Sequence, residues 1–190
     1  MPNRVFQGHM HQWVERAQAS AVNEVNRLDR KLFADPALDG HLQKIAEKYA
    51  LDVARLNVSG IEATRKEVEA HVRDFGEMRI VKRKVLEVMI PFNGDEESLK
   101  LAPSRSTIIS NAVEIRRNAL TVTVGDDDNA QREVDTFVSQ VNQNIDTLRT
   151  ESAQAKTQLL EMLRQVAQAR KEQIEKEDSR DKKFSFPVRN

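Results

Sequence analysis

Apolar residues near the start of the chain recur at steps of three and four: Met10, Val14, Ala17, Ala21, Val25, Leu28 and Leu32. That spacing puts them on one face of an α-helix running from about Met10 to Phe33. Asp35-Pro36 ends it, because the residue before proline is pushed out of the helical region. Leu38, Leu42, Ile45 and Tyr49 predict a second helix over 38–50, with Asp35 or Asp39 as its cap.

The middle of the chain mixes periods. Leu56-Asn57-Val58 alternates as a short strand does. Thr64-Arg65-Lys66-Glu67 matches a capping box, and Val68, Val72 and Phe75 follow at helical spacing before Gly76. This predicts a helix over 64–75. From Arg79 to Phe92 the period is two: Val81, Val85 and Met89 point one way, Ile80, Leu86, Val88 and Ile90 the other. Pro91 and Asn93-Gly94-Asp95 break that strand. Val113–Arg116 and Leu120–Val124 flank Arg117-Asn118 and predict a hairpin, with Asn118 at positive φ.

The last third has neither Gly nor Pro between Gly125 and Pro187. Apolar or small residues alternate at four and three: Val134, Val138, Val141, Ile145, Leu148, Ser152, Ala155, Leu159, Met162, Val166, Ala169. This is a coiled-coil seam on a helix capped by Asp128 or Asn129. A helix over 129–177 would be roughly 70 Å long at ~1.5 Å per residue. The N-terminal helix is long enough to cover only about half of that seam. The pattern therefore predicts self-association, with Val134, Val138, Val141, Ile145, Leu148, Leu159, Met162 and Val166 as the interface of a homo-oligomer. The fold class expected is α+β and helix-dominated: a small antiparallel sheet with a long C-terminal coiled-coil-like helix. The regions expected are a helical pair over 1–50, the sheet with one short helix over 51–125, the long helix over 126–180, and a linker over 181–190.

Composition narrows the chemistry. Thirty Lys+Arg balance thirty Asp+Glu among 190 residues, so the chain as a whole is no basic nucleic-acid binder. With no Cys there are no disulfides, thiolate metal sites or cysteine nucleophiles. No run of 18 apolar residues and no secretory signal is visible, so the cytoplasm is the expected location. His9 and His11 are two apart, and His41 and His71 are isolated, so no helical metal-ligand spacing exists. Asp126-Asp127-Asp128 lacks the calcium-loop spacing and reads as a solvated turn into a helix, and Asp95-Glu96-Glu97 likewise follows a turn. Phosphate loops and nucleophile elbows are absent. The expectation is a non-catalytic chain without metal or cofactor. Arg79, Lys82, Arg83 and Lys84 form the one basic cluster, with Lys82 and Lys84 on one strand face. A nucleic-acid-sensing alternative would use Lys82 and Lys84 with Arg116 and Arg117 of the hairpin, through phosphate contacts.

Val88-Met89-Ile90-Pro91-Phe92-Asn93-Gly94-Asp95, then Leu99 and Pro103-Ser104, resembles the N-terminal module of bacterial defence-type proteins that carry a C-terminal restriction-endonuclease-like or TIR-like effector domain. Val113–Val124 resembles that family's hairpin, Arg170-Lys171 the basic pair closing its long helix, and Phe186-Pro187-Val188 its final segment. The similarity spans roughly residues 80–190; Val141-Asn142 and the small side chains of the helix depart from the family's aromatic and Asn-rich pattern. The resemblance implies a regulatory or oligomerising module that positions an effector domain or partner protein. No nuclease residue carries over.

Overall fold

The computed structural model of the chain describes residues 5–74 and 77–183. The elements are β1 (Gly8–His9), α1 (Met10–Asn26), α2 (Leu38–Lys48), β2 (Arg55–Leu56), β3 (Glu62–Asp74), β4 (Glu77–Asn93), β5 (Leu101–Ala102), β6 (Val113–Arg116), β7 (Ala119–Gly125) and α3 (Ala130–Asp181). The class is the expected one, α+β and helix-dominated, with an antiparallel sheet and a long C-terminal helix. The elements group into two units, Met1–Met10 with Leu51–Thr150, and His11–Ala50 with Glu151–Asn190. The long helix is therefore not a region of its own: its first part belongs to the β unit and its second to the helical unit.

In the β unit β4 is the central strand. It pairs antiparallel with β7 over Val85–Pro91 on one side and with β3 over its length on the other, where β2 continues the same edge. β6 pairs with β7 to complete the sheet, and β1 pairs parallel with β5 in a separate two-stranded sheet. Period-two alternation fixes the register. Val88, Ile90 and Phe92 of β4, Leu120, Val122 and Val124 of β7 and Val113 of β6 are all buried, and they share one face. Val134, Phe137, Val138, Val141, Ile145 and Leu148 of α3 supply the helical side of this unit's apolar interior. The turn between β6 and β7 has both Arg117 (φ 47°) and Asn118 (φ 61°) in the left-handed region, the type I′ geometry that matches strand twist. Gly94, at φ 96°, lies where an added Cβ would come within 3.1 Å of the backbone of Asp52, Val53 and Ala54. Glycine is required there on both counts.

In the helical unit α1 stops at Asn26, earlier than its apolar stripe suggests. Asp29 then caps a short 3₁₀ turn, Arg30–Ala34, through its carboxylate and the Lys31 N–H at 2.8 Å. Asp35 accepts from the Ala37 N–H at 2.8 Å instead of capping α2, whose first turn holds Asp39. Ala21, Val25, Phe33, Leu42, Ile45 and Ala46 form one apolar cluster with Leu159, Leu163, Ala167 and Ile174. Ion pairs rim it. Arg30 reaches Glu177 (3.0 Å), Asp178 (2.6 Å) and the Ile174 carbonyl (3.2 Å), and Arg164 grips both oxygens of Asp39 at 2.7 and 3.0 Å.

The helix expected over 64–75 is a strand over the described part of that stretch. Residues i and i+4 share a face in either structure, so Val68 and Val72 fit both periods. Pairing with β4 decides between them: Glu67 stands opposite Lys84 and Glu69 opposite Lys82, attractive pairs that a local helix would forgo. The Gly76 stop lies outside the described residues.

Candidate functional site

Beyond the sheet, β3 and β4 continue as a two-stranded arm. β7 ends opposite Val85, so among the described residues Glu77–Lys84 of β4 has only β3 as a strand partner. Among the described residues no strand pairs the outer edge of β3. Every residue from Glu62 to Glu69 is exposed. One face of the arm carries Glu67, Glu69 and His71 opposite Lys84, Lys82 and Ile80; the other carries Lys66, Val68, Ala70 and Val72 opposite Val85, Arg83, Val81 and Arg79. Met78 is 64% exposed, Ile80 62%, Val68 38% and Val81 37%. A two-stranded ribbon with this much apolar exposure is marginal in water by itself.

The root of the arm is pinned. Arg65 Nε donates to Asp126 Oδ2 at 3.0 Å, and Lys66 Nζ to Glu87 Oε1 at 2.5 Å. A shallow cleft of about 740 Å³ lies here, lined by Arg65, Lys66, Glu67, Lys84 and Asp126–Asp128. Its three basic and four acidic side chains nearly balance. Asp127 is engaged in turn geometry, accepting from the Asn129 N–H at 2.8 Å, while its carbonyl accepts from Ala130 at 3.1 Å. The aspartate run thus leads into α3 as a turn, with Asn129 at the position before the helix. Among the described residues no three His, Asp or Glu are grouped to hold a metal ion.

The basic residues do not form one stripe. Lys82 and Lys84 share their face with Glu69 and Glu67 directly opposite. Arg116 pairs with Ala119, which lies opposite Pro91, seven residues along β4 from Lys84. At ~3.3 Å per residue that is about 23 Å. Arg116 is also held by Glu114 at 2.5 Å. The expected union of Lys82 and Lys84 with Arg116 and Arg117 is therefore corrected: the two pairs lie at opposite ends of the sheet, because antiparallel register carries the β6–β7 turn away from the arm.

The seam of α3 is also placed differently from the expectation. Val134, Val138, Val141, Ile145, Leu148 and Leu159 are buried by residues of this same chain, and Met162 and Val166 are half-buried beside the helical cluster. As an open oligomer interface these positions are corrected. Each unit supplies its own cover, whereas sequence reasoning counted only the N-terminal helix.

Sequence reasoning missed Asn144. It is buried, and its Oδ1 accepts from the Thr107 N–H at 2.7 Å while its Nδ2 donates to the Thr107 carbonyl at 3.0 Å. One amide thereby satisfies both backbone groups of a loop residue. Ser98 does similar work, accepting from the Ala54 N–H at 2.9 Å and donating to the Asp95 carbonyl at 2.7 Å. Within the motif that carries the family resemblance, Val88, Ile90, Phe92 and Leu99 are buried and Gly94 makes the turn, while Phe186-Pro187-Val188 lies outside the described residues.

No family model, curated protein or solved structure matches the chain. Among the described residues no helix is long and apolar enough to cross a membrane.

Proposed function

We propose that the chain is a non-catalytic assembly module whose β3–β4 arm brings copies of it together in the cytoplasm. In keeping with the resemblance to bacterial defence-type proteins, assembly would position an effector domain or partner protein. The observation that carries this reading is the arm itself: a ribbon whose two edges no strand pairs among the described residues, with Val68, Met78, Ile80 and Val81 exposed. Apolar side chains on an unshielded strand pair are what natural sheets avoid unless a partner covers them. Nucleic-acid binding is the weaker reading, because glutamates face the lysines on the arm.

The test is sedimentation velocity of the full chain across a wide concentration series. Reversible self-association is expected, and Val68→Asp combined with Val81→Asp should leave a monomer with an unchanged circular dichroism spectrum. A wild-type chain that stays monomeric throughout overturns the reading, as does a double variant that assembles as before.

A further inference from the structure

Among the described residues no strand pairs either edge of the arm, and the charges of the two edges differ. The edge offered by β4 carries Arg79, Lys82, Arg83 and Lys84, so two copies of it repel. The β3 edge reads Lys66-Glu67-Val68-Glu69-Ala70-His71-Val72-Arg73-Asp74. Laid antiparallel against itself about Ala70, this segment is complementary around its centre: Val68 meets Val72, Glu69 meets His71, and Ala70 meets itself. Centring the pair on Lys66, Glu67 or Glu69 sets that residue against its own copy, and centring it on Val68 sets Glu67 against Glu69. Of the registers centred on residues 66–70, that at Ala70 alone avoids opposed like charges, which are destabilising when directly opposite, and centring the pair on His71 would give up the Glu69–His71 pairing and set that histidine against its own copy.

The backbone agrees with the side chains. On β4 the Lys84 carbonyl accepts from Asp126 and the Phe92 N–H donates to Asn118, both on the β7 side, while the Pro91 carbonyl accepts from Asn57 on the β3 side. Even-numbered residues of β4 therefore aim their backbone groups at β7, and odd-numbered ones aim at β3. Ladder alternation then leaves Glu67, Glu69 and His71 of β3 with N–H and C=O pointing outward. In the Ala70 register Glu69 and His71 of opposite copies are partners that exchange both bonds, and Ala70 sits in a close pair without them.

We infer that a second copy of this chain docks on the β3 edge, antiparallel and with its two-fold axis at Ala70, so that the two arms form one continuous sheet. This rests on the assembly reading above and names its partner and register. One face of the joined ribbon carries an apolar row, Val81-Ala70 of one copy running into Ala70-Val81 of the other, beside Val68 against Val72. The other face carries Lys82, Glu69 and the second copy's His71 in alternation. Isologous contacts of this kind bury the same patch twice.

The test uses the absence of natural cysteine. In a close antiparallel pair the Cα atoms are about 4.5 Å apart, within disulfide reach. Mild oxidation of Ala70→Cys is therefore expected to give a covalent dimer. Val68→Cys should not, because its two copies stand about 13 Å apart along the strands at ~3.3 Å per residue. Glu69→Pro removes an outward N–H that the hairpin itself does not use, and should weaken dimerisation roughly tenfold or more, about 1.4 kcal/mol per factor of ten. His71→Glu should weaken it as well, and Glu69→Lys with His71→Glu together should restore it. A dimer that cross-links equally at both positions, or ignores Glu69→Pro and the charge exchange, overturns this register while leaving assembly through the arm in place. A wild-type chain that never associates overturns both.

Discussion

Replacing Leu163 by Ala should destabilise the helical unit far more than replacing Met162, its neighbour on the strict heptad seam. Leu163 is 0% exposed within the cluster of Val25, Phe33, Leu42 and Ile45, whereas Met162 packs only partly against it. Truncating a fully buried leucine loses both transfer free energy and the contacts around the cavity left behind, typically 2–5 kcal/mol, so about 3 kcal/mol is expected here. At the partly buried methionine the cost should be roughly a third of that, because solvent already reaches the site. Trp13 is the single tryptophan and lies on α1, in this unit. Its fluorescence therefore reports urea unfolding of the helical unit. With a slope of about 1–3 kcal/mol per molar urea, Leu163→Ala should lower the midpoint by about 1–3 M. Equal shifts for the two variants, or a larger one for Met162→Ala, would refute the placement of the seam.

Three further outcomes follow from the packing. Val141→Asp puts an unpaired charge at a fully buried site; it should unfold the β unit, seen as loss of strand signal in circular dichroism, rather than yield a folded monomer. Asn144→Ala orphans the N–H and C=O of Thr107; a loss of about 1–3 kcal/mol is expected by thermal or urea melting, and Asn144→Asp should not rescue it, since a carboxylate cannot donate to the carbonyl. Hydrogen bonds from Lys48 and then Tyr49 hold the Glu24 carboxyl below its usual range, and a hydrogen bond from Arg164 does the same for Asp39. Both groups are lowered on folding, so their contribution is complete above the unfolded carboxylate range and is lost as pH falls through the lowered folded values. The urea midpoint read by Trp13 should therefore drop below about pH 4, and Glu24→Gln should flatten that dependence.

Where the sequence was legible, one physical period acted alone. Val88, Ile90 and Phe92 alternate with exposed or half-buried neighbours, and the structure buries them on the expected strand. The β6–β7 turn follows from Asn118, although Arg117 shares its positive φ without any such cue. The 64–75 stretch was ambiguous because Val68 and Val72 satisfy both periods, and the deciding partners, Lys82 and Lys84, lie across a strand pair that local pattern does not encode. The α3 seam holds its phase through Leu159 and then moves from Met162 to Leu163 and from Val166 to Ala167. A straight helix drifts ~20° per heptad against a 3.5-residue repeat, or about 80° over the four heptads from Val134 to Met162. A strict heptad stripe therefore leaves the packed face before the end of a helix this long. Asn144 was invisible for another reason: its partner is the backbone of Thr107, and sequence carries no sign of which polar helical residue will meet a loop.

Chain order gives the helical unit an unusual history during synthesis. Its two parts, His11–Ala50 and Glu151–Asn190, are separated by the Leu51–Thr150 segment of the β unit. Translation at ~5–20 residues per second takes about 5–20 s to cross roughly 100 residues. For that interval the greasy sides of α1 and α2 emerge from the ribosome without Leu159, Leu163, Ala167 or Ile174 to cover them. Nascent chains should thus expose this pair to chaperones until the closing stretch of α3 is delivered.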